Sequence, residues 1–285
     1  LMLHLPLRTD QVRMLDSGEA DTWRYETGEW VRNTTALAMG SRDAPYEEGV
    51  FRRVRDDNLT SSIVTGIYVN TNKTADQNKD QNEPGYTIPW EHVTVLYWLE
   101  RLRNWQEKYN PIHKRTSCST LSKSHLGQIK ALPTLNAMGA KCFLFRDPTS
   151  DDPDKPLRTG ALDVPWYRTL YTLEEILWER GETLANGEPV RLTNDDDKPW
   201  SERSTTGFSL HSLRVSLITS LIMDGGVPLP VVSKLIAGHS RLVMTLYYTK
   251  ISPARMTDEL GRACTRMSEE GKKDVQRFIE ERSAN

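Results

Sequence analysis

The sequence predicts an α+β fold, mainly helical, with one small β-hairpin or sheet. Three observations carry this. The segment Leu210–Met223 repeats apolar residues at helical spacing (Leu213, Leu217, then Ser220/Leu221) and stops at Gly225-Gly226. The run Ile63–Val69 (IVTGIYV) is β-branched and aromatic, and Tyr86–Pro89 returns after a polar turn. Val93, Leu96, Tyr97, Leu99/Glu100 and Trp105 give a second helical stripe, ended by Asn110-Pro111. At 285 residues and 37% hydrophobic, the chain can bury a core as one large domain or two small ones.

Taken in order, the chain reads as already inside a helix at Leu1, the helix that carries Arg8. The tryptophans of residues 86–110 are expected in the core. Residues 111–130 are basic and rich in Ser and Thr, which suits either a DNA-contacting loop or an ordinary exposed one. Residues 147–164 are loop-like. Residues 169–180 read as a helix with Thr172 as its cap ahead of Glu174 and Glu175. Asp195, Asp196 and Asp197 are consecutive and lack metal-ligand spacing, so a solvated loop is expected there. A short helix is expected from about Pro228 to Ala237, with Gly238 as its stop. A long polar helix is expected over about 252–282, with a stripe of Met256, Leu260, Cys264 and Met267.

Composition sets limits. No apolar run approaches the ~18 residues of a membrane span, and no secretory signal is legible. Three dispersed cysteines (Cys118, Cys142, Cys264) with no CxxC argue for a reduced, intracellular chain without a zinc site or disulfide framework. The net charge of −2 is unevenly spread. Residues 147–197 carry 13 acidic and 5 basic side chains, whereas 98–130 carry 7 basic and 2 acidic, and 201–266 carry 8 basic and 4 acidic. Phosphate binding responds to local potential, so this distribution is compatible with DNA binding without predicting it.

The chemistry concentrates near the C-terminal end. His211-Ser-Leu-Arg214 puts an imidazole and a guanidinium three residues apart on one helix face. Gly238-His239-Ser240 follows at a helix end, and Tyr248 stands nine residues after His239. Two histidines, an arginine and a tyrosine can grip a phosphodiester, move its protons and attack it. Each element alone is commonplace; their conjunction, in this order and spacing, resembles the tyrosine recombinase (phage integrase) family.

The resemblance implies the catalytic domain of that family, here residues 1–285, with the N-terminal core-binding domain absent and an insertion at about 111–200 that includes the acidic stretch 147–197. It implies a first arginine upstream, matched by Arg8 with Gln11 at +3, Leu15 at +7 and Asp21 beyond. Gln11 stands where the family carries an acid. It implies a lysine in the β-hairpin, matched by Lys73, with Lys79 as the competitor; Tyr86 stands where an arginine is frequent. In this scheme Tyr248 is the nucleophile, with Tyr247 as the alternative. Arg8 and Arg214 clamp the non-bridging oxygens, His211 accepts a proton, His239 donates a hydrogen bond, and Lys73 protonates the leaving 5′ oxygen. Arg214→Ala is expected to abolish cleavage while sparing much of the fold. No metal or other cofactor is implied. The implied partners are double-stranded DNA and further copies of the chain, as a tetramer, with no membrane, in the cytoplasm on the nucleoid. Rival readings are a type IB topoisomerase or telomere resolvase, an integrase-derived DNA-binding protein without catalysis, and a structural or partner-binding domain.

Overall fold

The computed structural model describes residues 1–55, 63–71, 85–194 and 206–238. Lys73, Lys79, Asp195–Asp197, His239, Tyr247, Tyr248 and the expected helix over 252–282 lie outside the described residues.

Among the described residues, helices and three small antiparallel sheets alternate along the chain. The first element departs from expectation. Residues 1–5 form a turn, with the Leu5 N–H bonded to the Leu1 carbonyl at 3.0 Å, and Pro6-Leu7 are not helical. Helix α1 spans only Thr9–Arg13, with Arg8 extended at its N-cap (φ −79°, ψ 149°). Proline at position 6 cannot supply the N–H that a helix through Leu1 would need.

Strands β1 (Trp23–Glu26) and β2 (Glu29–Arg32) form a hairpin that the sequence reading passed over. Its turn, Thr27-Gly28, has φ of 47° and 92°. Positive φ at both central residues matches the right-handed twist of the strands, and glycine takes the second position without strain. Strands β3 (Phe51–Arg55), β4 (Ile63–Val69) and β5 (Tyr86–Ile88) make a sheet in that order, with Ile67 paired to both Phe51 and Ile88. The main core gathers Leu5, Leu7, Val12, Leu15, Phe51, Ile67, Tyr86, Ile88, Leu96 and Leu99.

Helix α2 (Val93–Tyr109) starts where the Nδ1 of His92 accepts the Val95 N–H at 3.4 Å and ends at Asn110. Its buried face is Val95, Leu96, Leu99, Arg103 and Gln106. The tryptophans expected in the core are exposed instead, Trp98 at 61% and Trp105 at 43%. Polar side chains hold the inner face. Arg103 donates to the Tyr25 carbonyl at 2.6 Å, and Gln106 to those of Leu144 and Arg146 at 3.2 and 2.9 Å.

Within the stretch expected as an insertion, residues 116–146 are built into the N-terminal part. Strands β6 (Thr116–Ser117) and β7 (Ala140–Lys141) pair around two short helices, α3 (Lys123–Leu126) and α4 (Leu132–Ala137). Cys118, Leu121 and Phe143 share a second core with Met14. A buried Arg146–Glu19 ion pair (2.9 Å) ties the same regions. Helix α5 begins at Asp163, not near Thr172, and runs to Glu179. Pro165 is tolerated there because the first turn needs no intrahelical N–H donor. Only Tyr167, Leu170 and Glu174 of α5 are buried, and the Glu174 carboxylate accepts the N–H groups of Leu192 and Thr193 at 2.6 and 2.8 Å.

Helix α6 is Leu210–Met223, as the periodicity predicts. Its most buried positions are Arg214 and Ile218. The expected second helix appears as one turn, α7 (Leu229–Val231), continued by a π-helical turn over Val232–Ile236. Ile218, Val232 and Ala237 form a third small core. Among the described residues no helix is long and apolar enough to cross a membrane.

Candidate active site

Three elements far apart in sequence meet at one place. Arg8 enters from the N-cap of α1, Tyr86 from the start of β5, and His211 with Arg214 from the first turns of α6.

Arg214 is fully buried. Its Nη1 donates to the Pro6 carbonyl and its Nη2 to the Ala237 carbonyl, the latter at 3.0 Å. One guanidinium therefore joins α6, the residue two before Arg8, and the end of the π-turn that leads into Gly238. A planar fork of donors can satisfy two carbonyls from different segments, which an ammonium does less well.

Arg8 is placed differently. Its guanidinium makes no hydrogen bond or ion pair among the described residues, and its Nη1 is buried. Gln11 accounts for this. Its Oε1 accepts the Arg8 backbone N–H at 3.0 Å, and its Nε2 donates to the Thr71 carbonyl at 3.1 Å. A carboxylate at this position could accept but not donate. The amide thus fastens the end of β4 to α1 while leaving the Arg8 charge without a counter-ion. Asn70 reinforces the join by donating to the Met14 carbonyl at 2.7 Å. The chain is thus fixed against α1 two residues before Lys73.

Tyr86 is buried beneath this group. Burial pushes its phenol up to about 12, against the opposing pull of the Arg214 and Arg8 charges. Its ring also forms the seat for Gly238. A Cβ built on Gly238 would lie 2.4 Å from Tyr86 Cε1, and Gly238 has φ +62°. Only glycine permits this approach and this backbone together. The tyrosine standing where the resemblance implies an arginine is therefore the floor of the site, and sequence reasoning missed that role. The available signal was its place at the first residue of the returning strand.

His211 sits on the exposed side of α6. Desolvation of its ring, then the nearby Arg214 and Arg8 charges, hold it below the ordinary imidazole value. The shift favours the neutral ring, the form able to accept a proton. Arg8, His211 and Arg214 are thus brought near one another. Lys73, His239 and Tyr248 belong to the segments outside the described residues. Asp21, read as the acid that follows the first arginine, is buried elsewhere, accepting the Gly49 N–H at 2.9 Å.

Arg13, the last residue of α1, is engaged through both of its terminal nitrogens. It donates to the carbonyls of His125 and Leu157 at 2.8 and 2.6 Å and pairs with Asp10 at 2.5 Å.

Residues 1–119 match the model of a family described as "Putative integrase". This part of the chain is similar to integrases. It carries Arg8, Gln11 and Tyr86 and stops before α6. No curated protein and no solved structure matched the chain.

Proposed function

We propose that this chain is a site-specific DNA recombinase of the tyrosine type. It would break and rejoin double-stranded DNA of a mobile element, with several copies acting together on the DNA. The observation that carries the reading is the convergence of Arg8, His211 and Arg214, with the Arg8 guanidinium unengaged, in a chain whose first 119 residues are integrase-like.

The chemistry is a transesterification at phosphorus. The Tyr248 oxygen attacks, the bond from phosphorus to the 5′ oxygen breaks, and a 3′-phosphotyrosyl link and a 5′-hydroxyl result. Bond energy is conserved in the adduct, so rejoining requires no nucleotide. Arg8 takes a non-bridging oxygen directly. Arg214 adds positive potential from the interior and, by holding Pro6 and Ala237, positions Arg8 and the turn entering His239. Neutral His211 accepts the phenol proton, Lys73 returns one to the leaving 5′ oxygen, and His239 donates to phosphate.

The test is capture of the adduct. DNA carrying the element's ends, nicked so that cleavage is trapped, is incubated with wild type, Tyr248→Phe and Tyr247→Phe and run on a denaturing gel. A covalent adduct lost only in Tyr248→Phe supports the assignment. Loss only in Tyr247→Phe moves the nucleophile by one residue. DNA binding with no adduct in wild type refutes catalysis and leaves an integrase-derived binding protein.

A further inference from the structure

Beside Arg8 opens a cleft of about 420 Å³, within the size range of ligand sites. One wall is Arg8, Gln11 and Thr71. A second part of the lining comes from residues 125–128, Lys130 and Thr159. That second part belongs to the stretch which the resemblance to recombinases leaves without a role.

This second part is anchored. The Arg13 guanidinium holds the His125 and Leu157 carbonyls against α1, and the Thr159 N–H donates to the Ser124 carbonyl at 2.7 Å. Arg13 also engages Asp10, the carboxylate at the cleft, at 2.5 Å. Two cations remain to face the cleft without a counter-ion. Arg8 is one, and Lys130 makes no ion pair among the described residues. Gln128, a neutral hydrogen-bonding side chain, lines the same cleft.

We propose that this cleft takes the DNA phosphodiester flanking the one held at Arg8, with Lys130 as its contact. The inference rests on the recombinase reading and deepens it, because it assigns the stretch 125–130 to substrate binding. The chemistry is that of a phosphate. Positive charges unpaired among the described residues, in a cleft whose Asp10 carboxylate is paired with Arg13, favour an anion. Two such cations, from different segments of one cleft, suit a strand that contacts both.

The test is the salt dependence of binding of the full chain to a labelled mixed-sequence duplex, by fluorescence anisotropy from 50 to 200 mM salt. Removing one lysine–phosphate contact lowers the slope of log K against log salt by about 0.9, which at 0.1 M weakens binding about 8-fold. Lys130→Gln is expected to show both changes. Lys123→Gln, which removes the same charge from α3 outside the cleft, is expected to show neither. Unchanged slope and affinity in Lys130→Gln, with wild type binding normally, overturns the proposal and leaves the recombinase reading standing. An equal fall in Lys123→Gln also overturns it, since the effect is then diffuse surface charge. Wild type that neither binds DNA nor forms an adduct sinks the recombinase reading and the cleft with it.

Discussion

Gly238→Ala joins the backbone and the site in one substitution. The added Cβ would stand 2.4, 2.5 and 2.8 Å from three ring atoms of Tyr86, where carbon contacts settle at about 3.5–4.0 Å. The ring or the turn must move by about 1 Å, and overpacking of this kind costs about 1–3 kcal/mol. The φ of +62° adds about 1–2 kcal/mol for a residue with a Cβ. The expected loss is therefore about 2–5 kcal/mol, read from urea midpoints at constant slope. A double-mutant cycle separates the two parts. In a Tyr86→Ala background the steric part vanishes and only the backbone cost, about 1–2 kcal/mol, should remain, giving a coupling of about 1–3 kcal/mol. A Gly238→Ala penalty of the same size in both backgrounds would refute the idea that Tyr86 is the seat of this turn.

Two further outcomes follow from buried groups, one at the site and one away from it. Arg214→Ala leaves the Pro6 and Ala237 carbonyls unsatisfied, at about 1–3 kcal/mol each, so the urea midpoint should fall; this corrects the expectation that the substitution spares the fold, and an unchanged midpoint would contradict it. Asp21 is raised to about 7 by burial, then by the neighbouring Asp16 charge. The native state thus holds a proton that the unfolded chain has lost, and stability present at acidic pH should decline as pH rises through about 7. Asp21→Asn keeps an acceptor for the Glu48 and Gly49 N–H groups and should flatten that decline; parallel pH profiles for variant and wild type would exclude it.

The helix carrying His211 and Arg214 was legible because its apolar run is long and its stop is a glycine pair. Strands β4 and β5 were legible from β-branched residues and a returning Tyr-Thr-Ile. Helix α2 was found, but its inner face was misjudged. Arg103 and Gln106 point inward to serve carbonyls of other segments, and no periodicity of apolar residues records that. Trp98 and Trp105 drew attention by size and lie outward. The β1–β2 hairpin was missed although Thr27-Gly28 marked its turn, since Arg and Glu alternate with Trp and Tyr and blur the pattern. At the site, the order of motifs named Arg8, His211 and Arg214, but not that Gln11 frees Arg8 or that Tyr86 supports Gly238. Those are contacts between distant segments, and local sequence carries no trace of them.

The hydrogen bond from Arg214 to Pro6 closes a loop of 208 residues. Folding must therefore bring almost the whole described chain together before the site exists. A nascent chain that has emerged only through the integrase-like first 119 residues holds Arg8 and Tyr86 but has neither His211 nor Arg214. Under the recombinase reading, the ability to cut DNA then requires α6 as well as the integrase-like stretch, and neither part alone assembles the site.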